Sequence, residues 1–144
     1  MRAGEERPMK KTAQLINKIK SSSGMHPEFL EDPDFTCPRF HYYLADLLRE
    51  RQMSPQEYFR FQNLERSYGY QILNGRRKPS RELLIRTAIL FKMELEEAQR
   101  LLKIGNREIL YPRVKRDALA IYAIEKKLSL LQYQELLEEY EEGI

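Results

Sequence analysis

The stretch SPQEYFRFQNLERSYGYQILNGRRKPS, residues 54–80, decides how the chain folds. Its first residues are typical of a helix N-terminus, because Ser54 is a favourable N-cap and Pro55 suits the first helical position. Glu57 lies three residues after Ser54 and completes a capping box. The stretch is therefore predicted to open with a short helix that ends near Gln62.

A tight turn and a second helix are predicted to follow. Asn63 readily adopts the left-handed conformation that such a turn needs. The second helix is expected from about Glu65 to Asn74, and Glu65 is interpreted as its structural cap because an acidic residue suits the positive end of the helix dipole. Gly75 is expected to close this helix as its C′ residue.

The second helix has two contrasting faces when its residues are placed about 100° apart around the axis. The polar face consists of Arg66, Ser67, Tyr70, Gln71 and Asn74, and the apolar face consists of Leu64, Tyr68, Gly69, Ile72 and Leu73. Side chains of the polar type can bind base edges, since Gln or Asn pairs with adenine and Arg pairs with guanine. Two helices joined by a tight turn indicate a helix–turn–helix motif, whose second helix enters the major groove of DNA.

A run of basic residues follows the second helix: Arg76, Arg77, Lys78 and Arg81. Lys and Arg side chains that contact phosphates release counterions and so add affinity without sequence information. Next to a helix–turn–helix motif, the run is expected to contact the DNA backbone. The alternative is a solvated, charged loop.

Residues 40–104 resemble the lambda-repressor-like, or Cro/cI-type (XRE-family), DNA-binding domain, which is a compact bundle of five helices. The resemblance is carried by residues 54–80, whose ending NGRRKPS before a further helix is similar to the G-x-R-x-P-S pattern of the family. It implies that the polar face meets bases or nearby phosphates. It also implies that Gln56, at the start of the supporting helix, contacts a phosphate.

Three positions depart from the family pattern. Phe59 replaces the usual Ala of the supporting helix, Asn63 replaces the usual Gly of the turn, and Gly69 replaces a usual Val or Ile. In the family fold, the first and third positions face each other where the helices cross. We therefore expect an exchange of size, in which the ring of Phe59 fills the space left by Gly69 and core volume is roughly conserved.

Apolar residues recur at helical spacing along the rest of the chain, so the fold is predicted to be all-α. The five helices of the central domain, residues 40–104, are expected at about 40–51, 55–62, 65–74, 81–91 and 95–104. An N-terminal extension, residues 1–39, is expected to combine a helix over 9–20 with a linker that has one helical turn near 27–30. A C-terminal hairpin, residues 105–144, is expected to contain helices at about 114–126 and 130–141.

The C-terminal hairpin begins with LYPRVKRD, which is similar to the LYPR-x-x-RD segment of a subset of these regulators. Arg116 and Asp117 are expected to make separate surface contacts, because neighbours on a helix point in different directions. The last helix has a wide apolar face formed by Leu130, Tyr133, Leu136, Leu137 and Tyr140. This face either closes over the domain, which we favour, or forms the seam of a dimer.

Composition limits the other classes of function. The net charge is +3, but residues 40–92 carry +5 and residues 93–144 carry −3, which favours a local contact with a polyanion. Cys37 is the only cysteine, and no apolar run approaches the roughly 18 residues that span a bilayer, so a cytoplasmic protein without membrane contact is expected. His26 and His41 lack neighbouring ligands, and no catalytic or cofactor motif is present. We therefore expect no metal site, no catalytic residue, no cofactor and no enzyme activity.

The sequence predicts a sequence-specific DNA-binding transcriptional regulator. Double-stranded DNA is the expected partner, and the resemblance favours a homodimer because two-fold pairing reads palindromic sites. The alternative is a helical protein–protein interaction module that kept the bundle without DNA binding, with the C-terminal helices as the surface for a protein partner.

Overall fold

The computed structural model describes residues 12–24 and 37–140, and every helix or strand in these ranges is an α-helix. The helices are α1 (Thr12–Lys20), α2 (Phe40–Glu50), α3 (Pro55–Gln62), α4 (Arg66–Leu73), α5 (Arg81–Leu90), α6 (Leu95–Ile104), α7 (Lys115–Glu125) and α8 (Leu130–Glu139). The all-α class is thus confirmed. The helical turn expected near residues 27–30 lies outside the described residues.

The chain divides into two compact units between Cys37 and Pro38. In the first unit, α1 is an amphipathic helix with no buried residue. In the second unit, helices α2–α6 and the hairpin α7–α8 share one hydrophobic core. None of the helices in the described ranges has the length and apolar composition that crossing a bilayer requires.

Helix α5 lies at the centre of the second unit and packs against α3, α6, α7 and α8. Its buried residues are Leu83, Leu84, Ile85, Thr87, Ala88 and Ile89. Leu84 is fully buried, and burying a leucine side chain contributes roughly 1.5–3 kcal/mol to stability. Because α5 also packs against α7 and α8, the hairpin extends the core of the five preceding helices.

The connections α2–α3, α5–α6 and α7–α8 share one turn geometry. In each, the second residue after the helix has a positive φ of 54° or 55°: Gln52, Lys92 and Lys127. The next residue is apolar, and its N–H donates to a carbonyl five residues earlier: Met53 to Leu48, Met93 to Ala88 and Leu128 to Ala123, each at 3.0 Å. An N-cap residue follows at once, so these short turns bring consecutive helices back against each other.

Two lysines hold the hairpin to the α5–α6 turn. The ammonium of Lys92 donates to the backbone oxygens of Lys127 and Leu128, at 2.8 and 3.1 Å. The ammonium of Lys127 donates in return to the backbone oxygens of Lys92 and Met93, at 3.1 and 3.0 Å. Cations at helix C-termini stabilise the negative end of the helix dipole, so each lysine caps the end of the other helix.

Asp117 fixes the opposite end of the hairpin and is only 4% exposed. Its two carboxylate oxygens accept from the guanidinium of Arg81, each at 2.9 Å, and one also accepts from the backbone N–H of Tyr111. The expectation of a surface contact for Asp117 is therefore wrong, because its carboxylate is buried against Arg81 of α5. Arg116 does point elsewhere, toward Glu82 at 3.3 Å.

The apolar face of α8 closes over the domain, as we favoured from the sequence. Tyr133 and Leu137 are fully buried, and Leu130 packs against the same core. The hydroxyl of Tyr133 donates to Glu82 at 3.1 Å. Tyr140, at the end of the helix, is 47% exposed and departs from this face.

Candidate nucleic-acid interface

The start of α3 and the turn after it have the predicted geometry. The hydroxyl of Ser54 accepts from the N–H of Glu57 at 3.1 Å, and the Glu57 carboxylate accepts from the N–H of Ser54 at 2.9 Å. Asn63 ends the helix with φ 55° and ψ 45°, which is the left-handed conformation. These contacts fix α3 and the direction in which the chain enters α4.

Phe59 and Gly69 lie in contact between α3 and α4. A Cβ atom at position 69 would stand 2.5 Å from Cε1 of Phe59, well inside van der Waals distance. Both residues are buried, and the Phe59 ring also meets the Tyr70 ring edge-on with centroids 5.0 Å apart. The predicted contact between positions 59 and 69 is thus present, and it explains why a helix interior carries a glycine.

Both ends of α4 are capped. Glu65 is the N-cap, and its carboxylate accepts from the N–H of Tyr68 at 3.0 Å, which confirms its structural role. At the other end Gly75 has φ 83°, its N–H donates to Ile72, and the next N–H, of Arg76, donates to Gln71 at 2.9 Å. This pair of hydrogen bonds is the Schellman motif expected of a C′ glycine.

Three of the five residues predicted for the polar face of α4 are exposed, and Tyr70 packs against the hydrophobic core. Arg66, Ser67 and Asn74 are exposed, whereas Tyr70 and Gln71 are partly buried. On the apolar face, Gly69 and Ile72 are buried. The helix therefore presents a guanidinium, a hydroxyl and an amide to solvent along one side.

Several groups of the polar face hydrogen-bond to neighbours within the chain. Oε1 of Gln71 accepts from Nε of Arg77 at 2.9 Å. Nε2 of Gln56, on α3, donates to the hydroxyl of Tyr70 at 2.8 Å. The guanidinium of Arg66 lies 5.7 Å from the centroid of the same Tyr70 ring. These contacts hold Gln56, Tyr70 and Gln71 in defined orientations.

The basic loop, which we define as Arg76, Arg77 and Lys78, is exposed at all three positions. The guanidinium of Arg77 lies 5.3 Å from the centroid of the Tyr68 ring, a distance at which cation–π attraction acts. Oδ1 of Asn74 accepts from the N–H of Arg76 at 3.2 Å. The loop thus continues directly from the polar face of α4.

Arg81 does not belong with the basic loop. Besides Asp117, its guanidinium donates to the backbone oxygens of Glu108 and Ile109, each at 2.9 Å. The hydrogen bond to the Asp117 carboxylate is the largest cause that raises the pKa of Arg81. Because most of its N–H groups are engaged inside the protein, we remove Arg81 from the candidate interface.

Two further basic side chains lie beside the loop, and the sequence did not predict their place there. Arg39 and His41, at the start of α2, line the same cavity as Arg77 and Lys78. They precede the loop by more than thirty residues, and only the packing of α2 against α4 brings them there. No periodic or spacing signal in the sequence could have predicted this proximity.

Within the described ranges, no group of three or more His, Cys, Asp or Glu side chains is arranged to hold a metal ion. Comparison of the chain with protein-family models, with curated proteins and with solved structures gives no match.

Proposed function

We propose that this chain is a sequence-specific DNA-binding transcriptional regulator of the cytoplasm, with α2–α6 arranged as in the lambda-repressor-like domains that its sequence resembles. In this proposal α3 supports α4, and α4 enters the major groove as the second helix of a helix–turn–helix motif. The observation that carries the proposal is the outward polar face of α4, which continues without interruption into the three exposed cations of the basic loop.

The two parts of this surface have different roles in the proposal. Arg76, Arg77 and Lys78 contact phosphates and position the protein, and Gln56 of α3, which is hydrogen-bonded to Tyr70 of α4, adds a further phosphate contact. Arg66, Gln71 and Asn74 contact base edges, with Ser67 beside them. The polar face therefore determines sequence preference, and the basic loop determines affinity.

Arg77 connects the two roles. Bidentate pairing of Gln71 with adenine uses its Oε1 acceptor, which accepts from Arg77 in the free protein. On binding, Arg77 exchanges this hydrogen bond for one to a phosphate and leaves the amide of Gln71 available to a base. A homodimer would place two copies of α4 on half-sites about one helical turn apart.

A protein-interaction module that kept the bundle without DNA binding is the second candidate function. It is favoured by the hydrogen bonds Gln71–Arg77 and Gln56–Tyr70, which already satisfy groups that DNA would have to engage. The C-terminal third of the chain is acidic, which suits a protein partner better than a polyanion.

A salt titration of binding to mixed-sequence duplex DNA separates the two candidates. For a DNA binder, the logarithm of the binding constant falls linearly with the logarithm of the salt concentration, with a slope of about −0.9 per phosphate contact. Arg77→Ala is expected to reduce the slope by about one contact, whereas Gln71→Ala is expected to weaken only the preferred sequence.

Lys126→Ala provides the matched control, because Lys126 is an exposed cation at the end of α7. It removes the same charge and should leave the slope unchanged. Absence of any retention on DNA at low salt would reject the first candidate and favour the second.

A further inference from the structure

A cavity of about 340 Å³ opens beside the basic loop. It lies between the start of α2, the end of α4 and the end of α6, and its volume is within the range of small-molecule sites. The basic side chains that line it are Arg39, His41, Arg77 and Lys78, and none of its described lining residues is acidic. Phe40, which is partly buried, adds apolar surface to the same walls.

Gly75, which lines the cavity, allows His41 to lie close to the basic loop. Its φ of +83° turns the chain from α4 into the basic loop, and a Cβ atom there would stand 2.8 Å from Nδ1 of His41. The imidazole of His41 therefore lies directly against the backbone of the loop. Arg39, the N-cap of α2, makes no side-chain cap hydrogen bond, and the first turn of α2 has no acidic residue. The positive end of the α2 dipole thus adds to the charge of the basic side chains.

We propose that this cavity binds a small organic anion, namely a phosphate or carboxylate group attached to a flat apolar body, and that the bound anion lowers the affinity for DNA. The anionic group pairs with Arg39 and Lys78 at the rim. Hydrogen bonds between such cationic donors and an anion are stronger than those between neutral groups. The apolar body covers Phe40, which distinguishes this ligand from a bare phosphate and from a backbone phosphate of DNA.

The effect on DNA rests on the proposed function, since Arg77 and Lys78 belong to the cavity and to the basic loop at once. An anion paired with Lys78, in the same cavity as Arg77, neutralises charge that DNA phosphates would otherwise contact. By linkage, DNA must weaken binding of the anion by the same factor. The cavity would thus make DNA binding responsive to a small molecule.

Phenyl phosphate tests the site without DNA, by calorimetry and by amide chemical shifts of the full chain. Saturable binding with shifts at residues 39–41 and 75–79 is expected, and inorganic phosphate or phenol alone should bind at least roughly tenfold more weakly, which corresponds to about 1.4 kcal/mol. Arg39→Gln should weaken phenyl phosphate by roughly tenfold or more, since it removes a charged hydrogen bond. Lys126→Gln, which removes an exposed cation elsewhere, should not. Non-saturable shifts, equal binding of inorganic phosphate, or an Arg39→Gln variant that binds as well as the native chain would overturn the site.

DNA affinity measured at constant ionic strength tests the coupling. Saturating phenyl phosphate is expected to weaken duplex binding, and Arg39→Gln is expected to diminish that effect. Unchanged DNA affinity at saturating phenyl phosphate would overturn the proposed coupling but not the proposed anion site. Saturable phenyl phosphate binding by a chain that never binds DNA would overturn the proposed function and the coupling, and again leave the site.

Discussion

The large side chain of Phe59 and the absent side chain of Gly69 compensate each other in volume where α3 packs against α4. Separately, a phenylalanine in the supporting helix and a glycine in the following helix are unfavourable choices, because one needs space and the other weakens helix formation. Together they fit, since the ring occupies the position that a Cβ at 69 would take. The stability of the pair therefore depends on both residues.

The Phe59–Gly69 contact predicts a reversal of sign between two backgrounds. In the native chain, Gly69→Ala and Gly69→Val are each expected to lower the free energy of unfolding, Gly69→Val by about 1–3 kcal/mol, because the new side chain overlaps the Phe59 ring. In a Phe59→Ala background, Gly69→Ala is expected to raise it by about 1 kcal/mol, because alanine favours the helix and the ring is gone. Urea denaturation measures both. A stabilising Gly69→Val in the native chain would show that the ring can move away at little cost.

Gly75 predicts a second effect on stability. Gly75→Ala is expected to destabilise the protein by about 1 kcal/mol or more, because alanine resists a positive φ and its Cβ meets the His41 ring. In a His41→Ala background only the backbone strain remains, so the cost should fall. Thermal or urea denaturation of the four variants measures the difference, and an equal cost in both backgrounds would place the whole effect in the backbone.

Arg81 and Asp117 join helix α5 to the first turn of α7. Burial alone would raise the pKa of the Asp117 carboxyl, but hydrogen bonds from Arg81 and from the Tyr111 N–H outweigh this and hold the pKa below its usual value. A carboxyl with a lowered pKa stabilises the fold above its ordinary pKa and loses that stabilisation as pH falls through the folded-state value. The hairpin is therefore attached through a charge that acid removes.

Asp117→Asn is expected to lower the free energy of unfolding at neutral pH by about 2–4 kcal/mol. The estimate is below that for a fully buried pair, because Arg81 is 32% exposed. The difference from the native chain should shrink as pH falls from about 4, the ordinary pKa of an Asp carboxyl, through the lower pKa that this carboxyl has in the folded chain. Asp46→Asn is the control, since the Asp46–Arg49 pair is more exposed and should contribute less than about 1 kcal/mol. A difference independent of pH would show that the ion pair is not responsible.

Local signals in the sequence predicted the helices and the polar face well, whereas contacts between distant residues were missed. Ser54, Glu65 and Asn63 act within one turn of the chain, so their effects follow from residue type and spacing alone. Arg81 follows three basic residues in the sequence, and this proximity led us to group it with them. Its actual partner, Asp117, depends on how α5 packs against α7, which no local pattern encodes. The same reason explains why Arg39 and His41 were not predicted beside the basic loop.

The second unit is held together by one core that reaches from α2 to α8. Tyr133 and Leu137 are as inaccessible as Leu84 in the central helix. The buried face of α8 is therefore used within the chain, and a dimer has to use another surface.

Two leucines of α8 test this packing. Leu137→Ala is expected to lower the free energy of unfolding by about 2–5 kcal/mol, because it leaves a cavity in the core. Leu131→Ala, at a position 67% exposed on the same helix, should change it by less than about 0.5 kcal/mol. Both values should be independent of protein concentration. A concentration-dependent loss for Leu137→Ala would indicate that Leu137 lies in a dimer seam instead.

The central claim is that α4 and the basic loop form the surface that meets DNA. Amide chemical shifts of the full chain, recorded while duplex DNA is added at low salt, test it most directly. We expect the largest changes at residues 66–78 and at the start of α3, with little change on the exposed side of α7 and α8. Changes centred on the hairpin, or none at any DNA concentration, would contradict the account.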